Sequence, residues 1–204
     1  MLFVPVENIE MLSRYGSDEA GVQLDRLGGA SWQARKAGVK SRIKDIAEQL
    51  LKIAAERELH KGEVMLPPEG LFDEFCARFQ WSETEDQLAS IDDVMADLAS
   101  GHPMDRLICG DVGFGKTEIA IRAAFLASMA GYTVAVVVPT TLLARQHFVT
   151  FTERFSGLPV VIAQLSRLVS PGDATLVKDG LANGTVDIVI GTQALLSKSL
   201  RIAN

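Results

Sequence analysis

Gly110, Asp111, Val112, Gly113, Phe114, Gly115, Lys116 and Thr117 stand in the order G-x-x-x-x-G-K-T, a spacing whose chemistry is the capture of a triphosphate. Glycines let the backbone approach phosphate oxygens and adopt positive φ. A helix starting at the end of the loop then offers the anion unpaired N–H groups and a partial positive charge. Lys116 is placed to reach the β- and γ-phosphates, and the Thr117 hydroxyl to ligate Mg²⁺, so these two carry the catalytic expectation and Glu118 closes the nucleotide-binding run. Upstream, Thr84-Glu85-Asp86-Gln87 supports two readings that do not exclude each other. Thr84 and Gln87 fit a capping box at a helix start, and the Gln87 amide also has the donor and acceptor needed to read an adenine edge. Three further groups, Thr140 with Thr141, Ser166 with Arg167, and Gly191 with Thr192, combine small hydroxyls, glycine or arginine at the ends of expected strands. Each alone reads as a helix cap, whereas together they are suited to gripping a phosphate backbone. Cys76, Cys109 and the three scattered histidines lack metal-ligand spacing, which predicts reduced, packed thiols and no Cys/His metal site.

The elements that must position these residues follow from periodicity. Leu107-Ile108-Cys109 reads as a short buried strand entering the loop, and Glu118 to Met129 as an amphipathic helix leaving it. Strands are expected over 133–138, 159–164 and 187–190, alternating with helices over 141–155 and 173–182, a pattern that builds a parallel sheet with helices on both faces. Val134 to Val138 shows no polar alternation, which predicts cover on both sides of that strand. Ligands of such sheets bind beyond the carboxyl ends of the strands. Upstream, Val39, Ile43, Ile46, Leu50 and Ile53 mark one face of a long helix from Trp32 to about Arg57, capped by Ser31 after Gly28-Gly29. Arg35, Lys36, Lys40, Arg42 and Lys44 crowd its first half, either as a solvated face or as a surface for phosphate or an acidic protein. Helices over 71–79 and 88–98 come next, and the chain opens with a strand over 2–6 and a helical turn over 9–15.

Bulk properties narrow the class. With 204 residues and 48% hydrophobic content the chain has material for a real core. No apolar run approaches the ~20 residues needed to span a bilayer and the start is not signal-like, which predicts a soluble, cytoplasmic protein with no membrane partner. The net charge of −6 is local in origin: residues 62–100 carry one basic and ten acidic side chains, while the flanking segments are nearly balanced. This argues against a nonspecific polycation but not against a motor that holds nucleic acid through helix N-termini and hydroxyls.

The runs Met104 to Glu118, Val138 to Ala144, Leu165-Ser166-Arg167 and Asp187 to Thr192 resemble the bacterial transcription-repair coupling factor family, as do Leu2 to Val6, Leu27 to Trp32 and the basic long helix. That resemblance implies a superfamily-2 translocase that moves on double-stranded DNA with ATP and Mg²⁺, displaces stalled RNA polymerase, and recruits an excision-repair protein. It implies the tail of a polymerase-interacting β module over 1–28, a relay helix and connector over 29–69, and a partial RecA-like first motor lobe over 70–204. Gln87 would be the adenine reader, and Thr140, Thr141, Ser166, Arg167, Gly191 and Thr192 would track DNA. Gln193 stands where the family usually has His. The family's Asp-Glu pair is expected on a strand after Asn204 and its transition-state arginine in a second lobe. The expectation is therefore an ATPase parent, an inactive fragment, and a cut sheet prone to self-association. The alternatives are a branch-migrating fork helicase fragment and a non-catalytic nucleotide-binding or protein-interaction module.

Overall fold

A computed structural model describes residues 5–11 and 29–203. The chain divides into two compact units, Met1–Ala55 and Glu56–Asn204. In the first, Val6–Met11 forms a 3-10 turn and α1 (Ala30–Leu59) begins. Pro5 is irregular and Val6 enters the turn, so that part of the expected first strand is absent; residues 1–4 and 12–28, with the rest of the strand, the end of the helical turn and Gly28, lie outside the described residues. Ser31 lies inside α1 rather than capping it, because the helix already starts at Ala30. The apolar stripe Val39, Ile43, Ile46, Leu50 and Ile53 is exposed along α1.

The second unit holds α2 (Leu71–Ala77), α3 (Glu85–Ala99), α4 (Lys116–Met129), β1 (Val134–Val137), α5 (Thr141–Arg154), β2 (Ile162–Leu165), α6 (Pro171–Asn183) and β3 (Ile188–Gly191). The three strands are parallel in the order β1-β3-β2, with Val134 and Ile162 both opposite Ile188. This is an α/β fold with helices on both faces of its sheet. On one face Ile188 and Ile190 pack with Ile121, Phe125, Phe151 and Phe155, and Phe75 stacks on Phe125 with ring centres 4.3 Å apart. On the other, Val189 and Leu165 meet Leu181 of α6 and Leu195. Burying aromatic rings of this size on a shared face stabilises the fold.

Two sequence expectations fail here. Residues 107–109 form no strand: Leu107 is 85% exposed, Ile108 half-buried and Cys109 exposed. The apolar letters were right for a strand, but a strand exists through its ladder, and none of β1, β2 or β3 pairs with this segment. Cys109 is accordingly no packing residue, although it and Cys76 are both free thiols. Cover on both faces holds for β3, all of whose residues are buried, but not for β1, where Val134 and Val136 are half-buried and Ala135 and Val137 are exposed. Position in the sheet decides this, since β3 is central and β1 lies at the edge. Among the described residues no helix is long and apolar enough to cross a membrane.

Candidate nucleotide site

The phosphate loop joins the irregular segment before it to α4, whose N-cap is Gly115 in the left-handed region at φ 71°. Gly113 is left-handed as well, at φ 87°. Two such turns fold the chain back on itself and bring N–H groups to the helix N-terminus, a conformation that L side chains resist. Lys116 crosses the loop and donates from Nζ to the carbonyls of Gly110 (2.6 Å) and Asp111 (2.7 Å). Its ammonium is thus held at the loop by oxygens that a phosphate could replace.

Gln87 performs the structural half of its double reading. Thr84 Oγ1 accepts from the Gln87 N–H and Gln87 Oε1 accepts from the Thr84 N–H at 2.9 Å, a complete capping box. The amide nitrogen of the same side chain donates to the Phe114 carbonyl at 2.9 Å, tying α3 to the phosphate loop. A Cβ on residue 115 would be driven into that amide, so glycine there serves both the left-handed turn and the approach of Gln87. One amide hydrogen and one carbonyl lone pair remain for a ligand.

Gln87, Val112 to Gly115 and Thr117 line a cavity of about 780 Å³ together with Phe79, Trp81, Thr150 and Arg154. That volume accommodates a nucleotide-sized ligand. The same wall carries a largely buried ionic cluster, for Glu118 lines the cavity together with Arg154. Glu118 (6% exposed) accepts from Arg122 Nε at 3.0 Å and, through both oxygens, from Arg154 at 2.6 and 3.2 Å. Arg122 (4% exposed) also holds Glu83, whose carboxyl is kept below the usual range by that hydrogen bond. Burial pushes the neighbouring Cys76 thiol up, which keeps it protonated and unreactive.

The other sequence-predicted residues gather at one edge of the sheet. Ser166 and Arg167 follow β2, Gly191 ends β3 with Thr192 next, and Thr140 and Thr141 follow β1 by three and four positions. Parallel strands put all three groups at the carboxyl edge. Their side chains differ in availability. Thr140 Oγ1 caps α5 by accepting from the Leu143 N–H at 3.2 Å. Ser166 is buried and its hydroxyl accepts from the Gln164 amide and the Leu168 N–H. Arg167 is exposed, and the Thr192 side chain makes no cap bond. Glycine at 191 answers to packing, because a Cβ there would enter the Leu165 carbonyl and stand 2.9 Å from Leu195 Cγ.

Residues 84–204 match the family model described as DEAD/DEAH box helicase. The chain belongs to that helicase family. Curated relatives include transcription-repair-coupling factors of Rickettsia bellii, 51% identical over all of this chain, and of Bacillus subtilis, 49% identical over 98% of it. The chain spans 18% and 17% of those relatives' length. A solved structure of RecG bound to a three-way DNA junction superposes with a TM-score of 0.69 at 37% identity, covering 75% of this chain and 21% of that one. Of the residues that line the cavity, the sequence reading had named Gln87, Val112 to Gly115, Thr117 and Glu118 but not Phe79, Trp81 and Arg154. Two aromatics close before the Thr84 cap were a usable signal; nothing local marks Arg154, which reaches the site only through the fold.

Proposed function

We propose that the chain is the nucleotide-holding part of an ATP-driven double-stranded DNA translocase that displaces stalled RNA polymerase and couples transcription to excision repair. The observation that carries this reading is identity near one half along the whole chain to transcription-repair-coupling factors, including residues before the matched helicase segment. A fork helicase is the second reading, supported by the RecG likeness over three quarters of the chain.

In this reading the loop N–H groups and Lys116 bind the triphosphate, Lys116 exchanging two carbonyl partners for phosphate oxygens. The Thr117 hydroxyl lines the cavity and is the hard oxygen donor that Mg²⁺ prefers. Among the described residues no group of three His, Cys, Asp or Glu could hold a metal, so the cation would be shared with the phosphates. It would supply charge neutralisation at the reacting phosphoryl group. Gln87 would orient the adenine with the hydrogen-bonding capacity left over from its cap. Arg167, Thr141 and Thr192 at the carboxyl edge would follow the DNA backbone, with Thr140, Ser166 and Gly191 shaping the turns that present them. RNA polymerase and an excision-repair protein would be partners of the longer protein, which would act in the cytoplasm.

Glu118, the residue next to Thr117, is committed to two arginines, which takes its carboxylate out of the role of orienting an attacking water. The 204-residue chain is therefore expected to bind Mg-ATP without DNA-stimulated hydrolysis. Titration calorimetry with wild type and Lys116→Ala, alongside a phosphate-release assay with duplex DNA, tests both halves. Binding lost in the variant supports the site, and robust turnover by the wild-type chain would sink the inactivity claim. Polymerase pull-down with and without residues 1–61 separates a docking role for the first segment from a purely nucleotide-binding module.

A further inference from the structure

Helices α3 and α4 pack against each other through Ile91, Val94 and Ile119, all buried. Both begin at the phosphate loop: Lys116 of the loop opens α4, and Gln87 in the first turn of α3 donates to the Phe114 carbonyl. Both end at the segment 60–66 that follows α1. At the end of α3 the Leu98 carbonyl accepts from the Met65 N–H at 3.0 Å, and the Gly101 carbonyl accepts from the Gly62 N–H at 2.8 Å. Just past α4 the Tyr132 hydroxyl bonds the Glu63 carboxylate. Gly62 sits so close to the chain leaving α3 that a Cβ would stand 2.8 Å from the His102 carbonyl carbon and 2.9 Å from the Pro103 nitrogen. Arg106 ties the same stretch to α3 by donating to Asp97 at 2.5 and 3.0 Å and to Asp93 at 2.9 Å, and Asp105 pairs with Arg57 in the last turn of α1. A helix of 15 residues is about 22 Å long, so the loop and segment 60–66 hold opposite ends of one packed pair.

We propose that α3 and α4 form a lever between the phosphate loop and residues 60–66, so that nucleotide in the loop tightens the hold on that segment and loosening the segment weakens nucleotide binding. The proposal rests on the nucleotide reading above and adds a distant surface that regulates it. Phosphate oxygens that replace the carbonyl partners of Lys116 act on the loop at its contacts with Gln87 and the start of α4. Closely packed helices shift as a unit, which delivers that displacement to their far ends. There the grip on 60–66 is two backbone hydrogen bonds and one tyrosine–carboxylate bond, few enough for a small shift to strengthen or release. Coupling of this kind is reciprocal: each site changes the other by the same factor.

Two measurements on the 204-residue chain read the two directions. Amide exchange followed by NMR should slow about fivefold at Gly62 and Met65 in saturating Mg-ATP, while Thr185, bonded at the end of α6, does not respond. In titration calorimetry, Gly62→Ala forces the segment off His102 and Pro103 and should raise the Kd for Mg-ATP about fivefold. Gly180→Ala, whose Cβ would stand 2.7 Å from Val186 Cγ2, loses stability away from the lever and should bind as wild type does. Unchanged exchange at Gly62 and Met65 in the nucleotide-bound chain, or equal weakening by the two alanine variants, overturns the lever and leaves the nucleotide site standing. A wild-type chain that takes up no Mg-ATP overturns the nucleotide reading itself.

Discussion

Glu83 and its partner Arg122 make the pH dependence of this fold specific. A carboxyl held below its ordinary value of about 4.3 contributes stability that is fully present above that value and drains away as pH falls through the lower folded value. Melting temperature followed between about pH 5 and pH 3 should therefore drop more steeply in wild type than in Glu83→Gln, which starts lower and has less to lose. Parallel curves would contradict the assignment. Gln87 shows how far single residues were legible. Its spacing from Thr84 announced the cap, which formed, but its bond to Phe114 spans 27 positions and depends on a glycine that no local rule connects to it. Glu118 was read as part of the nucleotide run, and it does line the cavity; its commitment to Arg154, 36 residues away, follows from tertiary packing alone.

At the scale of elements, helices were more legible than strands. The α1, α4, α5 and α6 boundaries fall within three residues of the periodic patterns, because caps such as Ser170 and Thr140 and the apolar spacing are both local. The segment 107–109 carried as good a strand pattern as β1 and failed, since pairing is supplied by other parts of the chain. Two substitutions probe the elements directly. Thr84→Ala removes half of the capping box and should cost about 1 kcal/mol by urea denaturation. Gly191→Ala forces a methyl group against the Leu165 carbonyl at the centre of the sheet, and a loss of more than about 2 kcal/mol is expected in the same assay. A near-neutral result at 191 would mean that β2 and β3 part more easily than their ladder implies.

For the whole molecule, apolar surface is left open in both units. Val137 and Ala135 face outward on an edge strand, and α1 exposes its stripe from Val39 to Ile53 among the described residues. Edges and apolar stripes of this kind favour association between chains. Light scattering across a concentration series should give a mass rising above the monomer's 22.1 kDa. A constant monomer mass at all concentrations would contradict this. Charged substitution at Val137 should reduce the rise without altering nucleotide binding, because the residue stands outside the cavity lining.

The strand order has a consequence for how the sheet comes into being. β1 and β2 never pair with each other; each waits for β3, the last of the three to be made, which then fills the middle position. On a ribosome, residues 134–137 and 162–165 would emerge with no ladder partner, and both ladders would close together once 188–191 is free. Assembly of this sheet is thus a single late event over long sequence separations, a topology that folds slowly and exposes its apolar strands to chaperones in the interval.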